Sequence, residues 1–296
     1  MFQGIYTALV TPMRNGTVDL AALARLLDRQ VAADVQGVVV CATTGEGTTL
    51  TPDERRLVLE TAVKRAGARI QVLFGTSLVA TWAVIDAVQQ AADLGAVGAL
   101  VSSPSYVKPS QDGIYAHYAA IADHSKLPIV LYNVPGRTSS DIKPATVARL
   151  ATHERIAAIK EASGSVERAQ QIIAAAGRGL NVLSGDDPLT VSILVAGGHG
   201  VISTAANVVP EKWSALWRHW IAGDVAAAAA AQAGLLGLHE ALFLESNPAP
   251  AKAALHLLGL IEDEIRLPLT WPARPTVYRL AAELERLGLP PVRGAQ

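Results

Sequence analysis

Eight short runs rich in Val, Ile and Leu recur along the chain: "IYTALV", "GVVVCA", "IQVLF", "VGALV", "PIVLY", "IAAIK", "LNVLS" and "GVIST". Longer, Ala-rich amphipathic stretches separate them. Runs of this length bounded by turn residues read as buried strands, and their regular alternation with helices builds a parallel sheet. Such a sheet must be covered on both faces or closed on itself. The two ends of the strands differ in chemistry. Where a strand begins, "AADVQGVVV", "AADLGAVGAL" and "VAGGHGVIS" each end a helix, turn, and enter the strand, with glycine expected at the left-handed turn. Where a strand ends, the chain opens into "TTGEGTTLTPDE", "SSPSYVKPS", "YNVPGRTSS", "KEASGS" and "SGDDPLT". In a (β/α)8 barrel that polar face is the C-terminal one, where active sites sit, whereas a doubly wound sheet needs a topological switch point that these runs do not mark. The fold class predicted is therefore α/β, a (β/α)8 TIM barrel. No strand pattern remains after about residue 205, so the division expected is a barrel over 1–205 and a barrel-closing, C-terminal helical region over 206–296.

The 296 residues are enough for this architecture, and half of them are hydrophobic with only 5% aromatic, so the core must be made mainly of aliphatic side chains and alanine. A formal net charge of -1 provides no electrostatic footprint for nucleic acid or for an anionic membrane surface. Cys41 is the single cysteine and excludes an internal disulfide, which fits a reducing compartment, the cytoplasm. The N-terminal residues lack the pattern of a secretion signal, and the Ala-rich stretch "VAAAAAAQAGLLGL" is too short to span a bilayer. Phosphate-loop, dinucleotide, nucleophile-elbow and zincin motifs are missing, and the seven histidines show no metal-ligand spacing.

One run breaks its own logic. "IAAIKEASG" drives an apolar strand directly into Lys160, although removing an ammonium from water costs several kcal/mol unless it is paired or neutral. Lys160 could snorkel outward and pair with Glu161 or another carboxylate. Alternatively it is a nucleophile, since desolvation favours the neutral amine that attacks a ketone. The second reading needs hydroxyls to relay protons and donors for a carboxylate. Tyr132 ends the preceding strand, Thr43 and Thr44 close strand two ahead of Gly45, and Arg137 follows Pro135 and Gly136 in a tight turn. Each has an ordinary alternative: a packed ring, β-branched residues closing a strand, a surface salt bridge. Asp187 before Pro188 reads as a helix N-cap.

"CATTGEGTTL", "YNVPGRT", "IAAIKEASG", "LSGDD", "GGHGVIS" and "NPAPAK" resemble, in order, the signatures of the dihydrodipicolinate synthase family within the pyruvate-dependent class I aldolases. The resemblance runs from near residue 4 to 252. It implies that Lys160 forms an imine with pyruvate and that Tyr132 donates and accepts protons beside it. Thr43 would link Tyr132 to Tyr106, which in the family enters a neighbouring subunit's site. Thr44 and Ile202 would bind pyruvate, Arg137 would receive the carboxylate of L-aspartate 4-semialdehyde, and Gly185 would keep the site floor small. The chemistry implied requires no metal or organic cofactor, and the assembly implied is a homotetramer, a dimer of tight dimers. Two rivals share much of this pattern: a lyase acting on a 2-keto-3-deoxy sugar acid or a sialic acid, and a non-catalytic barrel that binds a keto acid. Pro52, Arg55, Val79, Ala83 and Ser105 occupy positions where lysine-inhibited members carry polar, acidic and aromatic groups, which implies insensitivity to L-lysine.

Overall fold

The computed structural model describes residues 1–294. All eight expected strands form: β1 (Gly4–Ala8), β2 (Gly37–Val40), β3 (Gln71–Thr76), β4 (Gly98–Ser102), β5 (Ile129–Asn133), β6 (Ile156–Glu161), β7 (Asn181–Ser184) and β8 (Gly200–Ser203). Each pairs in parallel with its sequence neighbours, and β1 pairs with both β2 and β8, closing the barrel. Seven helices alternate with the strands: α1 (Leu20–Ala32), α2 (Pro52–Ala66), α3 (Thr81–Asp93), α4 (Gln111–Asp123), α5 (Pro144–Leu150), α6 (Val166–Ala176) and α7 (Thr190–Val195). Five more follow β8: α8 (Pro210–Ile221), α9 (Val225–Ala233), α10 (Leu236–Leu242), α11 (Ala249–Leu257) and α12 (Arg274–Arg286). Among the described residues no single helix is long and apolar enough to cross a membrane; the Ala-rich stretch is split between α9 and α10, which meet at 45°.

Closure creates two apolar compartments. Side chains that point inward fill the barrel, among them Tyr6, Val39, Leu73, Leu100, Val130 and Ile202. Those on the other side of each strand pack against the helices, as Ile5, Val38, Val72, Val101, Leu131 and Ile159 do. Neighbouring residues of one strand thus serve different cores, which explains the unbroken apolar runs.

The strand entries use two devices, not one. Gly95 and Gly197 take positive φ after their helices, as expected. In the first entry Asp34 takes that position, with φ 60°, and Gly37 is required for another reason. A Cβ on Gly37 would stand 2.6 Å from the Tyr6 ring and from the Gln71 carbonyl. A feature the apolar pattern does not reveal is a small hairpin of Met13–Arg14 and Thr17–Val18, turning on Asn15 and Gly16. Its arms are too short to carry any periodicity. The Asn-Gly dipeptide is its one sequence signal.

The C-terminal region is fastened to the β2 end of the barrel by charge. Lys252 of α11 is fully buried, and its Nζ donates to Glu46 Oε1 at 2.5 Å. The other carboxylate oxygen accepts from the Arg266 backbone at 3.1 Å. The Arg266 guanidinium reaches Glu54, which also takes part in the capping box of α2. Removing one member of a buried pair strands the other charge, which costs about 3–5 kcal/mol. Lys252→Met is therefore expected to lower unfolding free energy by about that amount in urea titrations, with Glu46→Gln/Lys252→Met recovering most of the loss.

Candidate active site

The inward pointing of Lys160 depends on an irregularity in β6. Ile129 pairs with Ile156, but Val130 pairs with Ala158, so Ala157 is an extra residue in the strand. Ile156 and Ile159 both pack on the helical side, three residues apart, which strict alternation forbids. The bulge at Ala157 changes the phase, so Ala158 points into the barrel and Lys160 follows it. Tyr132 and Lys160 are register partners on β5 and β6, and Lys160 Nζ lies 4.5 Å from the centroid of the Tyr132 ring.

Glu161, one residue on, faces the other way. Its Oε2 accepts from Asn133 Nδ2 at 2.9 Å and its Oε1 from the Ser163 backbone at 2.7 Å. Burial raises its carboxyl above the ordinary range, with the Ser163 and Asn133 hydrogen bonds opposing. A Lys160–Glu161 pair is thus ruled out by strand geometry. Among the described residues the lysines in ion pairs are Lys126, Lys143 and Lys252, and Lys160, only 5% exposed, is in none. Asp186 is a neighbouring carboxylate that the sequence pattern did not single out. Burial raises its pKa and the charge of Lys160 pulls it back. Asp186 Oδ2 accepts from the Gly164 backbone at 3.0 Å, bridging the loops after β6 and β7.

Thr44 is buried just beyond β2, and Thr43 beside it is half-buried. The loop carrying them is tightly folded: Glu46 takes φ 53°, and the Gly45 carbonyl accepts from Thr11 Oγ1 at 2.7 Å. Arg137 sits in a four-residue helical turn, Pro135–Thr138, after β5. A residue outside the expected set joins these two. Asn247 Nδ2 donates to Thr44 Oγ1 at 2.9 Å, and Arg137 Nη2 donates to the Asn247 carbonyl at 3.3 Å. Ile202 is fully buried in β8, inside the barrel. Gly185 donates to the Glu161 carbonyl at 2.7 Å, and any Cβ on it would run into the Ala162 methyl.

Tyr106 is not brought to this chain's own site. It is 91% exposed, in the loop after β4, with its backbone N–H on the Thr138 carbonyl at 3.2 Å and φ 71°, a costly conformation for a tyrosine. The loop holds the ring outward.

Asp187 departs from the expected capping role. It is the first residue of the turn Asp187–Leu189, and Asp186 occupies the cap position. Its Oδ2 instead accepts from the backbone of Thr204 and Ala205, at 3.2 and 2.8 Å, fixing the turn after β8. The carboxylate thus satisfies donors of a different element, which only the tertiary contact offers. Among the described residues, one grouping of three metal-ligating types occurs, His256, Glu262 and Asp263. The Arg293 guanidinium already lies against it, 2.8 Å from Glu262 and 3.1 Å from His256. A groove of about 170 Å³ between α2 and α3, lined by Pro52, Arg55, Trp82, Ala83 and Asp86, lies away from Lys160.

The arrangement offers an amine held in no ion pair beside a phenol, with hydroxyl and guanidinium donors at the same end of the barrel. That set suits carbonyl addition to a substrate with a carboxylate. The Dihydrodipicolinate synthetase family profile matches residues 1–286. The chain is 43% identical over 289 residues to 4-hydroxy-tetrahydrodipicolinate synthase of Citrifermentans bemidjiense, covering 98% of this chain and 100% of that one. It is similar in structure to dihydrodipicolinate synthase from Aquifex aeolicus, with a TM-score of 0.96, 40% identity and coverage of 99% and 100%. The chloride-inhibited dihydrodipicolinate synthase from Acinetobacter baumannii, complexed with pyruvate, matches with a TM-score of 0.95, 39% identity and coverage of 98% and 100%.

Proposed function

The chain belongs to the dihydrodipicolinate synthetase family, and from that membership we propose that it condenses pyruvate with L-aspartate 4-semialdehyde to 4-hydroxy-tetrahydrodipicolinate, a step of lysine and diaminopimelate biosynthesis. The observation that carries this reading is a buried lysine in no ion pair among the described residues, aimed by a bulge over the ring of Tyr132.

Lys160 Nζ adds to the keto carbon of pyruvate, and loss of water leaves the imine. Loss of a methyl proton converts the imine to an enamine, whose carbon forms a bond to the semialdehyde carbonyl. The semialdehyde amine then attacks the imine carbon, displacing Lys160 and closing the ring. Tyr132 carries protons to and from the oxygen and nitrogen at the reacting carbon, with Thr43 as the next hydroxyl. Thr44 on the loop after β2 holds the pyruvate carboxylate, Ile202 contacts pyruvate through its backbone, and the planar fork of Arg137 receives the semialdehyde carboxylate. Gly185 keeps the loop after β7 close to Ala162, where a side chain would push it away.

The exposed, outward-held Tyr106 supports a relay completed between subunits, in a cytoplasmic homotetramer built as a dimer of tight dimers. A tyrosine ring this exposed buries little surface against its own chain. Insensitivity to L-lysine follows from the groove between α2 and α3. Pro52, Arg55 and Ala83 do line it together, and it also contains Asp86, a carboxylate that the five matched positions did not include. Arg56 is paired with Glu60, which leaves Arg55 against Asp86, so the groove offers no surplus carboxylate to a ligand bearing two ammonium groups.

Lys160→Ala is expected to fold and to lose turnover by several orders of magnitude, and borohydride reduction with pyruvate should add mass to the native chain but not to this variant. Near-native turnover in the variant would exclude the imine route. Arg137→Ala should raise the KM for the semialdehyde about tenfold or more while pyruvate trapping persists; parallel loss of the pyruvate adduct would move Arg137 to the other substrate. Titration of activity with L-lysine at subsaturating pyruvate should show no saturable inhibition up to millimolar concentration, and a clear saturating curve there would overturn the reading of the groove.

A further inference from the structure

The segment that opens α11 reaches across the barrel mouth without any role in the chemistry described above. We propose that Asn247 is a positioning residue that sets the donor direction of Thr44, and thereby the affinity for pyruvate; this rests on the reading of Thr44 as a pyruvate-binding residue. A threonine hydroxyl can donate or accept, and a carboxylate can only accept. Thr44 therefore serves a pyruvate carboxylate only if its O–H points at the substrate. Asn247 Nδ2 donates to Thr44 Oγ1 at 2.9 Å, which occupies the oxygen as an acceptor and leaves its hydrogen to be given elsewhere.

Burial isolates the amide, and two contacts hold its segment in place. Asn247 is 5% exposed, so water does not compete for Thr44 from that side. Its carbonyl accepts from Arg137 Nη2 at 3.3 Å, tying the segment to the turn after β5. Five residues on, Lys252 is anchored on Glu46, two residues after Thr44. The side-chain Oδ1 of Asn247 is buried with no partner, so the amide's bonding in this position is through its nitrogen.

The same contacts make a prediction specific to one substrate. Asn247→Ala removes the donor, and Asn247→Asp, of nearly the same volume, replaces it with an acceptor that turns the Thr44 hydroxyl away from pyruvate. Both are expected to raise the KM for pyruvate about tenfold or more, the Asp variant more than the Ala variant, with kcat and the semialdehyde KM changed less than threefold. In a Thr44→Val background, Asn247→Ala should add less than twofold, because the group it acts through is gone. If the Ala variant does not accumulate as folded protein, the isosteric Asp variant carries the test. An Asp variant with native pyruvate KM would show that Thr44 donates to residue 247, and it would overturn the proposal. So would equal losses for both substrates, or full additivity with Thr44→Val. Borohydride trapping of the unmutated protein separates the two readings. Absence of a pyruvate adduct there defeats the proposed function itself, whereas a normal adduct with an indifferent Asn247 defeats only this inference.

Discussion

Closing eight parallel strands on one another forces alternate side chains into a space that must be filled, and this constraint governs everything else in the molecule. Tyr6, Val39, Leu73, Leu100, Val130, Leu183 and Ile202 fill it. A charged group in such a packed interior is tolerable only where the filling ends, at the mouth. Lys160 lies at that point, one alternation beyond Ala158, with its ammonium over an aromatic face instead of against a carboxylate. A face of that kind forms no directional hydrogen bond that must be broken before the amine can react. A buried ion pair would hold the proton in place, and the geometry of β6 turns the adjacent glutamate away from it.

The far C-terminal segment completes the mouth. TIM barrels place their reactive groups on loops after the strands, and loops need support to hold side chains within the tolerances that chemistry requires. Here the loop after β2 is held from three sides: by Thr11 on the Gly45 carbonyl, by Lys252 on Glu46, and by Asn247 on Thr44. The buried Glu46–Lys252 pair is not a strong source of net stability, because desolvating both charges offsets most of their attraction. Its value is directional, since one arrangement satisfies both charges and the Arg266 N–H together.

How much of this was legible follows from range. The eight strands, the helical layer and the polar C-terminal face were readable because each depends on residues close in sequence: aliphatic runs, amphipathic periods, turn glycines. The strand-end residues Lys160, Tyr132, Thr44 and Arg137 were readable for the same reason, as polar groups where apolar runs stop. The short hairpin escaped because two-residue arms have no period, and Asp34 in place of a glycine escaped because aspartate also tolerates the left-handed region. The capping role expected of Asp187 was a local inference overridden by nearby backbone donors from another strand end.

The sequence by itself determined the barrel and the end of it that is reactive, since hydrophobic periodicity and turn chemistry act within a few residues. The tertiary structure decided which way the lysine points, because the bulge at Ala157 exists only in the pairing of β6 against β5. It also decided that Asn247 meets Thr44, 203 residues away, and that Tyr106 faces away from its own site. Those outcomes depend on register and on closure of the barrel. No local pattern encodes either one, because both arise only when distant strands and helices compete for the same space.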